Sequence, residues 1–453
     1  MHGRLSLWRS SAFASLAAMA LAGCVSVDGD ALAARTALLS GNAAAAVSYG
    51  EELSDSVYSA NLGYVEAGRA SLLAGDFPAA AAWFRRGVES AIDRRESQPR
   101  IKLGDIGNTA MAATVTDDRT RNYYLPPYEL NLALEYSILA EALGGRREDA
   151  LVDARLACYV QDSLAQTYGA DLAAQSDGAD GRAQAASAQL GEQQSAALQE
   201  LMSASRNSWE NPVLWWLTGV LFEADGEVEL AWQSYRKASA CRADNAVFAS
   251  CVARAERGAR SPAGGRARLV VLYEEGLVPL RESLKIPVPV YTGMSIDIPT
   301  YGGAAAYAPA RVRISGAERM VAATPAVDVR ALAARDLNER LPGVIARNIT
   351  RAAVQAGAQA AVNSAGNEYA RLAVFVANAV VSALRRADTR SWITLPDGQQ
   401  VWEDGAMEPG SYRVGVSVNG RTVAVPVELA AGETALVWIA DCGMVFKTGV
   451  TKL

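Results

Sequence analysis

Leu38-Leu39-Ser40-Gly41-Asn42 recurs as Leu72-Leu73-Ala74-Gly75-Asp76, and the two glycines lie 34 residues apart. A motif repeated at such a period restricts a chain to stacked supersecondary units, because one unit alone cannot bury its apolar face. The second copy continues with Phe77, Ala80, Phe84 and Gly87, and Gly68 stands before it. Small residues at these places let two helices approach closely, and Phe84 fills the gap between them. A later copy keeps the same order of large and small residues in Trp215, Gly219, Phe222, Gly226, Ala231, Tyr235 and Ala238. Asn211-Pro212 before it reads as a helix start, since proline is tolerated in the first turn.

This pattern resembles the tetratricopeptide repeat. Gly145, Ala150, Ala154 and Ala157 form a weaker copy, and Ala243 stands where the consensus closes on proline. The resemblance covers residues 31–258 and implies a mainly α N-terminal half of helical hairpins. Most matched residues are packing positions. Arg69, Trp216 and Glu223 fall where the repeat presents a concave face, so they are the candidates for binding a partner. Two stretches interrupt the array. Tyr168 to Gln199 is rich in Ala, Ser, Gly and Gln and reads as a loop followed by a helix. Residues 104–128 carry few periodic apolar positions and end at Pro126-Pro127.

The breaker cluster from Gly258 to Gly265 marks a linker over 259–266. Beyond it the pattern predicts an α+β domain over 267–453. Leu269 to Tyr273 is a buried-strand run. Residues 286–291 and 296–299 are extended, but their prolines place them at an edge or outside a ladder. Arg311 to Ile314 alternates like a strand. A helix is expected from about Val327 to Val362 with a break near Pro342-Gly343, and another from about Glu368 to Arg386. The second contains the apolar stretch Leu372 to Val381, read as a core helix or as a membrane or oligomer contact. From about residue 391 the tail is β-rich and resembles small β-sandwich modules. Asn419-Gly420 is its hairpin turn, and Thr434 to Ala440 adds a strand.

The N-terminus has the pattern of an export signal. Arg4 and Arg9 precede an apolar stretch from Ala12 to Ala22, about half of the roughly 20 residues a membrane-spanning helix needs. Leu21-Ala22-Gly23-Cys24 resembles the bacterial lipobox. That resemblance implies cleavage after residue 23, lipidation of Cys24 and a tether over 24–30. The alternative is a secreted chain with a chance cysteine behind its signal. Several acyl chains hold a protein at a bilayer where one alone does so only marginally. Val25-Ser26 after the cysteine resembles the signal for sorting to the outer membrane, facing the periplasm.

Cleavage would also narrow the chemistry. His2, the only histidine, lies in the signal. Its removal excludes Ser-His-Asp and Cys-His catalysis, His-ligated zinc and an imidazole switch. It also takes the formal net charge from −6 to −8, since the signal carries Arg4 and Arg9 and no acid. An acidic chain has no electrostatic case for nucleic acid. Cys158, Cys241, Cys251 and Cys442 form no metal-ligand cluster, and no cofactor is implied. Cys241 and Cys251 are the pair close enough in sequence to bridge adjacent helices, with buried free thiols as the alternative.

The whole layout resembles an uncharacterised bacterial lipoprotein family, through the lipobox, the helical repeats, Tyr273 to Pro279 and Ala387 to Trp392. The resemblance implies no particular activity. Ser234 with Lys237, Ser417 with Asn419, and Lys447-Thr448-Gly449 mimic the motifs of serine β-lactamases. Tyr235 is already used by the repeat and Asn419 by the hairpin, so these residues are assigned to the scaffold. The expected function is an envelope scaffold that binds unidentified protein partners, or itself as a homo-oligomer, without catalysis. The alternatives are an accessory subunit of a secretion, polysaccharide-export or cell-wall-synthesis complex, and a carboxylate-based glycan hydrolase.

Overall fold

A computed structural model describes residues 29–97, 121–176, 196–287, 295–301, 310–315, 319–364, 387–418 and 420–453. The lipobox, residues 177–195 of the stretch read as a loop and helix, and the expected helix over 368–386 lie outside the described residues, while Tyr168 to Ser176 of that stretch continue a helix.

The repeated Leu-Leu-x-Gly-Asx motif is a pair of helix ends. Helix α1 (residues 29–39) stops before Gly41, which is left-handed at φ 93°. Asn42 then caps α2 (Ala43–Ser54) by accepting from the Ala45 amide. The second copy repeats the arrangement. Helix α3 (Ala60–Ala74) ends at left-handed Gly75, and Asp76 accepts from the Ala79 amide at the start of α4 (Phe77–Ser97). Glycine ends helices this way because it adopts positive φ without a Cβ clash, and a short acid or amide side chain satisfies orphan N–H groups at the next start. Gly145 turns α5 (Pro127–Leu143) into α6 (Arg147–Ser176). After α7 (Ala196–Ser203), Gly226 turns α8 (Pro212–Asp225) into α9 (Val228–Cys241), and α10 (Ala246–Glu256) follows.

Close approach within the hairpins depends on the predicted small residues. A Cβ on Gly68 would sit 2.8 Å from the Phe84 ring, and one on Gly219 would sit 2.5 Å from the Tyr235 ring. Both distances are shorter than carbon atoms tolerate. The aromatic ring of each second helix therefore lies directly on the glycine of the first.

The second half begins with β1 (Ala267–Glu275), β2 (Arg281–Pro287), β3 (Ser295–Tyr301), β4 (Arg311–Ser315), β5 (Arg319–Ala322) and β6 (Thr324–Asp328). Helix α11 (Val329–Ser364) follows, then β7 (Gly398–Met407), β8 (Gly410–Val418), β9 (Arg421–Leu429), β10 (Thr434–Asp441) and β11 (Phe446–Lys452). A five-stranded sheet has the order β11-β10-β1-β7-β6, a four-stranded sheet β5-β4-β8-β9, and β2-β3 forms a separate ribbon. Strands β1 and β10 pair in parallel, Val271 opposite Val437. Prolines stand at the expected edge places, with Pro299 opposite Ser283 and Pro287 opposite Ser295.

Alternation in the central strands sorts two cores. Val270 and Leu272 of β1, with Leu436, Trp438 and Ala440 of β10, pack in the core shared with the helices. Leu269, Val271 and Tyr273, with Ala435, Val437 and Ile439, pack in the core shared with the four-stranded sheet. Period-two alternation lets a central strand serve two faces. The molecule is therefore three layers, helices on sheet on sheet.

Two expectations change. The sandwich is not confined to the tail, because β7–β11 are completed by β1, β4, β5 and β6 from before α11. Helix α11 also runs through Pro342 without a break. Its first turns are anchored by buried Leu332, Ala333 and Ala334, and Ile345 is buried just past the proline. Such packing offsets the hydrogen bond that an interior proline removes.

Candidate functional site

Helices α3, α5 and α8 carry charged residues on otherwise apolar surfaces, and those residues meet the five-stranded sheet or the segment that precedes β7. Arg69, Trp216 and Glu223 are 1%, 0% and 4% exposed. Arg69 meets Glu274 of β1, Glu223 meets Arg268 of β1, and the Trp216 ring lies 6.5 Å from that of Phe248 in α10. All three are therefore closed off within the chain, where an open concave face was expected.

At one end of this seam, Glu66 accepts from the Ile393 amide at 2.6 Å and the Thr394 hydroxyl at 2.7 Å. One turn along α3, Arg69 donates to Glu274 of β1 at 2.5 Å and lies over the Tyr136 ring at 4.3 Å. Glu129 of α5 accepts from the Tyr123 and Tyr128 hydroxyls and from the Trp392 amide. Glu135 accepts from Gln399 at 2.5 Å and from Asn211 at 2.6 Å. The same Gln399 nitrogen donates to Glu274 at 3.0 Å, so one amide joins α5, β1 and β7.

Glu223 holds the other end. It accepts from Arg254 at 2.9 Å, Arg268 at 2.8 Å, the Tyr235 hydroxyl at 2.7 Å and the Ser261 amide at 3.0 Å. Ser261 lies in the expected linker, which is thereby fastened to α8. Glu403 of β7 accepts from Arg268 and Arg254 at 2.5 and 2.7 Å, and from the Cys251 thiol at 3.2 Å. Cys241 and Cys251 are free thiols, the second of the two readings open for that pair. The reason is local: Cys251 is buried toward Glu403 on the sheet side of α10, while Cys241 ends α9 beside a cleft lined by Arg206, Glu210 and Arg242.

The two ends differ electrostatically. Burial pushes Glu66 and Glu135 each up to about 8, against hydrogen bonds that pull the other way. Burial likewise raises Glu129. At the far end burial also acts on Glu403, but Arg268 and then Arg254 outweigh it and hold the carboxyl down to about 2. The same two arginines hold Glu223 below its ordinary value. A buried carboxylate without a matching cation stays protonated, whereas one between two guanidiniums ionises readily.

No family model, curated protein or solved structure matches the chain.

The seam is built to hold two layers together. Glycosidase-type carboxylates must reach a sugar and a water, but Glu66, Glu129, Glu135 and Glu274 are enclosed between helix and sheet. Among the described residues, no group of His, Cys, Asp and Glu is arranged to hold a metal ion, and no helix is long and apolar enough to cross a membrane. Ser234 faces the Cys158 thiol, Lys237 reaches Asp162 at 2.7 Å, and Ser417 shares a hydrogen bond with Thr422. Glu66, Glu129, Glu135, Glu274 and Gln399 were not singled out in the sequence. Their signal is a lone acid in a helix that is apolar all round, as Glu129, Glu135 and Glu141 are in α5.

Proposed function

We propose that this chain is an envelope lipoprotein, anchored through Cys24 to the outer membrane and facing the periplasm, that serves as a protein–protein scaffold. One observation carries the reading: the inner charges of the helical array are used within the chain. Partner binding then falls to the outer helical faces. Val152 and Tyr159 stand seven residues apart on α6 and stay exposed, as does Leu230 on α9. Arg155 of α6 and Glu227, which precedes α9, pair at 2.6 Å and bring the two outer faces side by side. Seven residues are two helical turns, so Val152 and Tyr159 form one stripe. Exposed large apolar groups rimmed by charge suit protein contact.

The test is chemical crosslinking in intact envelopes followed by purification of the anchored chain. A reproducible partner set that Tyr159→Glu depletes supports the reading. If that set is a single secretion, polysaccharide-export or cell-wall machine, the chain is an accessory subunit of it. Recovery of the chain alone would overturn the scaffold. In parallel, Cys24→Ser is expected to move the protein from the membrane to the soluble periplasmic fraction, and persistent attachment would overturn the anchor.

A further inference from the structure

We propose that one pole of the helical layer, formed by Leu32, Val57 and Tyr58, rests on the bilayer surface, so that the tether fixes the orientation of the whole body. The inference rests on lipidation of Cys24.

Four residues lie between Cys24 and the start of α1, which makes five Cα–Cα steps. Fully extended, they span at most about 17 Å. The beginning of α1 is therefore held near the headgroups, whatever path the tether takes. Helices α1 and α2 are joined by a tight turn in which the Gly41 amide donates to Leu38 and the Asn42 amide to Ala37. So short a turn between two helices folds α2 back along α1, as in an αα-hairpin, and brings the end of α2 toward the start of α1. Arg35 of α1 donates to the Ile393 carbonyl and Arg390 to the Tyr58 carbonyl, so residues 390–393 join the loop after α2, with Val57 and Tyr58, to α1.

These three residues are among the most exposed large apolar side chains described, at 55%, 78% and 47% for Leu32, Val57 and Tyr58. The loop backbone is fixed while its side chains stay outside. Tyr58 C=O accepts from the Tyr123 amide at 2.7 Å and from Arg390 at 2.7 Å. A rigid loop that presents valine and tyrosine to the outside suits the headgroup boundary, where an aromatic ring has an apolar body and a polar tip. Glu51, Glu52 and Asp55 stand exposed near the same pole. The contact is therefore apolar and interfacial, not an attraction to anionic lipid.

Met444 supplies the internal control. It is 75% exposed, and its amide donates to Leu39 C=O at the opposite end of α1. An eleven-residue helix puts about 16 Å between the two ends.

The experiment is hydroxyl-radical footprinting of native side chains. The full acylated chain is placed in phosphatidylethanolamine–phosphatidylglycerol vesicles and compared with soluble Cys24→Ser protein. The expected result is several-fold slower oxidation of Tyr58 and Leu32 on vesicles, with Met444 unchanged. Equal oxidation of Tyr58 in both forms, or equal protection of Tyr58 and Met444, would overturn the orientation. The mass of the N-terminal peptide decides the anchor separately. An acylated peptide with unprotected Tyr58 sinks the orientation alone, whereas an unacylated peptide sinks the anchor and the orientation with it.

Discussion

Arg69 of the third helix and Glu274 of the central strand form an ion pair at 2.5 Å, with both side chains closed off from water. Arg69 is also flanked by the rings of Tyr136 at 4.3 Å and Trp438 at 5.7 Å. The pair crosses from the repeat-like array to the first strand of the second half, 205 residues later. It makes the two halves depend on one another.

Removing one partner should therefore be far worse than removing both. Arg69→Met leaves Glu274 buried with the Gln399 amide as its main remaining donor. Loss of one member of a buried pair costs about 3–5 kcal/mol. Adding Glu274→Gln removes the stranded charge and should recover at least half of the loss. Urea unfolding of wild type, single and double variants measures this. Equal midpoints for the single and double variants would show that the charge is already relieved by other means.

The seam also predicts an unusual dependence on pH. In the unfolded chain Glu66 and Glu135 ionise near their ordinary value of 4.5, but folded they keep the proton up to about pH 8. Between those limits the folded state binds more protons than the unfolded one. Their contribution is thus fully present below about pH 4.5 and is lost as pH rises through 8. Glu403 acts with the opposite sign: its carboxyl is held down to about 2, so its contribution is present above 4.5 and is lost as pH falls toward 2. Stability should peak in mild acid and decline through neutrality. Glu66→Gln can still accept from Ile393 and meet Thr394. It should flatten the neutral limb by up to about 1.4 kcal/mol per pH unit. Denaturant midpoints across the pH range check it, and parallel curves for wild type and variant would contradict it.

What the sequence showed of this arrangement was whatever spacing along the chain could carry. Gly68 and Phe84, or Gly219 and Tyr235, lie sixteen residues apart within one hairpin, so local periodicity places them against each other. Gly41 and Gly75 were legible as a repeat spacing, and the cause of that spacing is that both end helices at positive φ. The pairing of β1 with β10 was not, since nothing near Val271 specifies Val437 as its neighbour. For the same reason Arg69, Trp216 and Glu223 could be placed on an inner face while their cover stayed unknown. For Arg69 and Glu223 that cover comes from β1, whose own signal says only that it is buried. The lone acids of α5 were a readable warning that a polar partner must arrive from elsewhere, because buried charges are paired or neutralised.

The hairpin glycines give a test of packing that does not involve charge. A Cβ at 219 would fall 2.5 Å from the Tyr235 ring, and that ring is itself held through its hydroxyl by Glu223. The ring cannot retreat without disturbing the Glu223–Arg268 pair. Gly219→Ala should therefore destabilise by about 1–3 kcal/mol, despite the better helix propensity of alanine. Gly75→Asn, at a left-handed turn with open space around the missing Cβ, should cost less, about 1 kcal/mol. Thermal unfolding of both variants ranks them, and the reverse order would mean the hairpin has slack.

Cysteine chemistry tests the other end of the seam. Cys251 donates to Glu403, whose other partners are Arg254 and Arg268. Burial first, and then the Glu403 carboxylate, raise this thiol well above its ordinary range. A neutral, buried thiol is a poor nucleophile. In the folded protein Cys251 should react with a water-soluble disulfide reagent orders of magnitude more slowly than in urea. Intact mass should not change on reduction, because Cys241 and Cys251 are unbridged. Cys251→Ser keeps a donor for Glu403 and should be nearly neutral. Cys251→Ala removes the donor and opens a small void, which should cost about 1–2 kcal/mol. If serine and alanine are equally destabilising, the hydrogen bond to Glu403 contributes nothing and the thiol acts only by filling space.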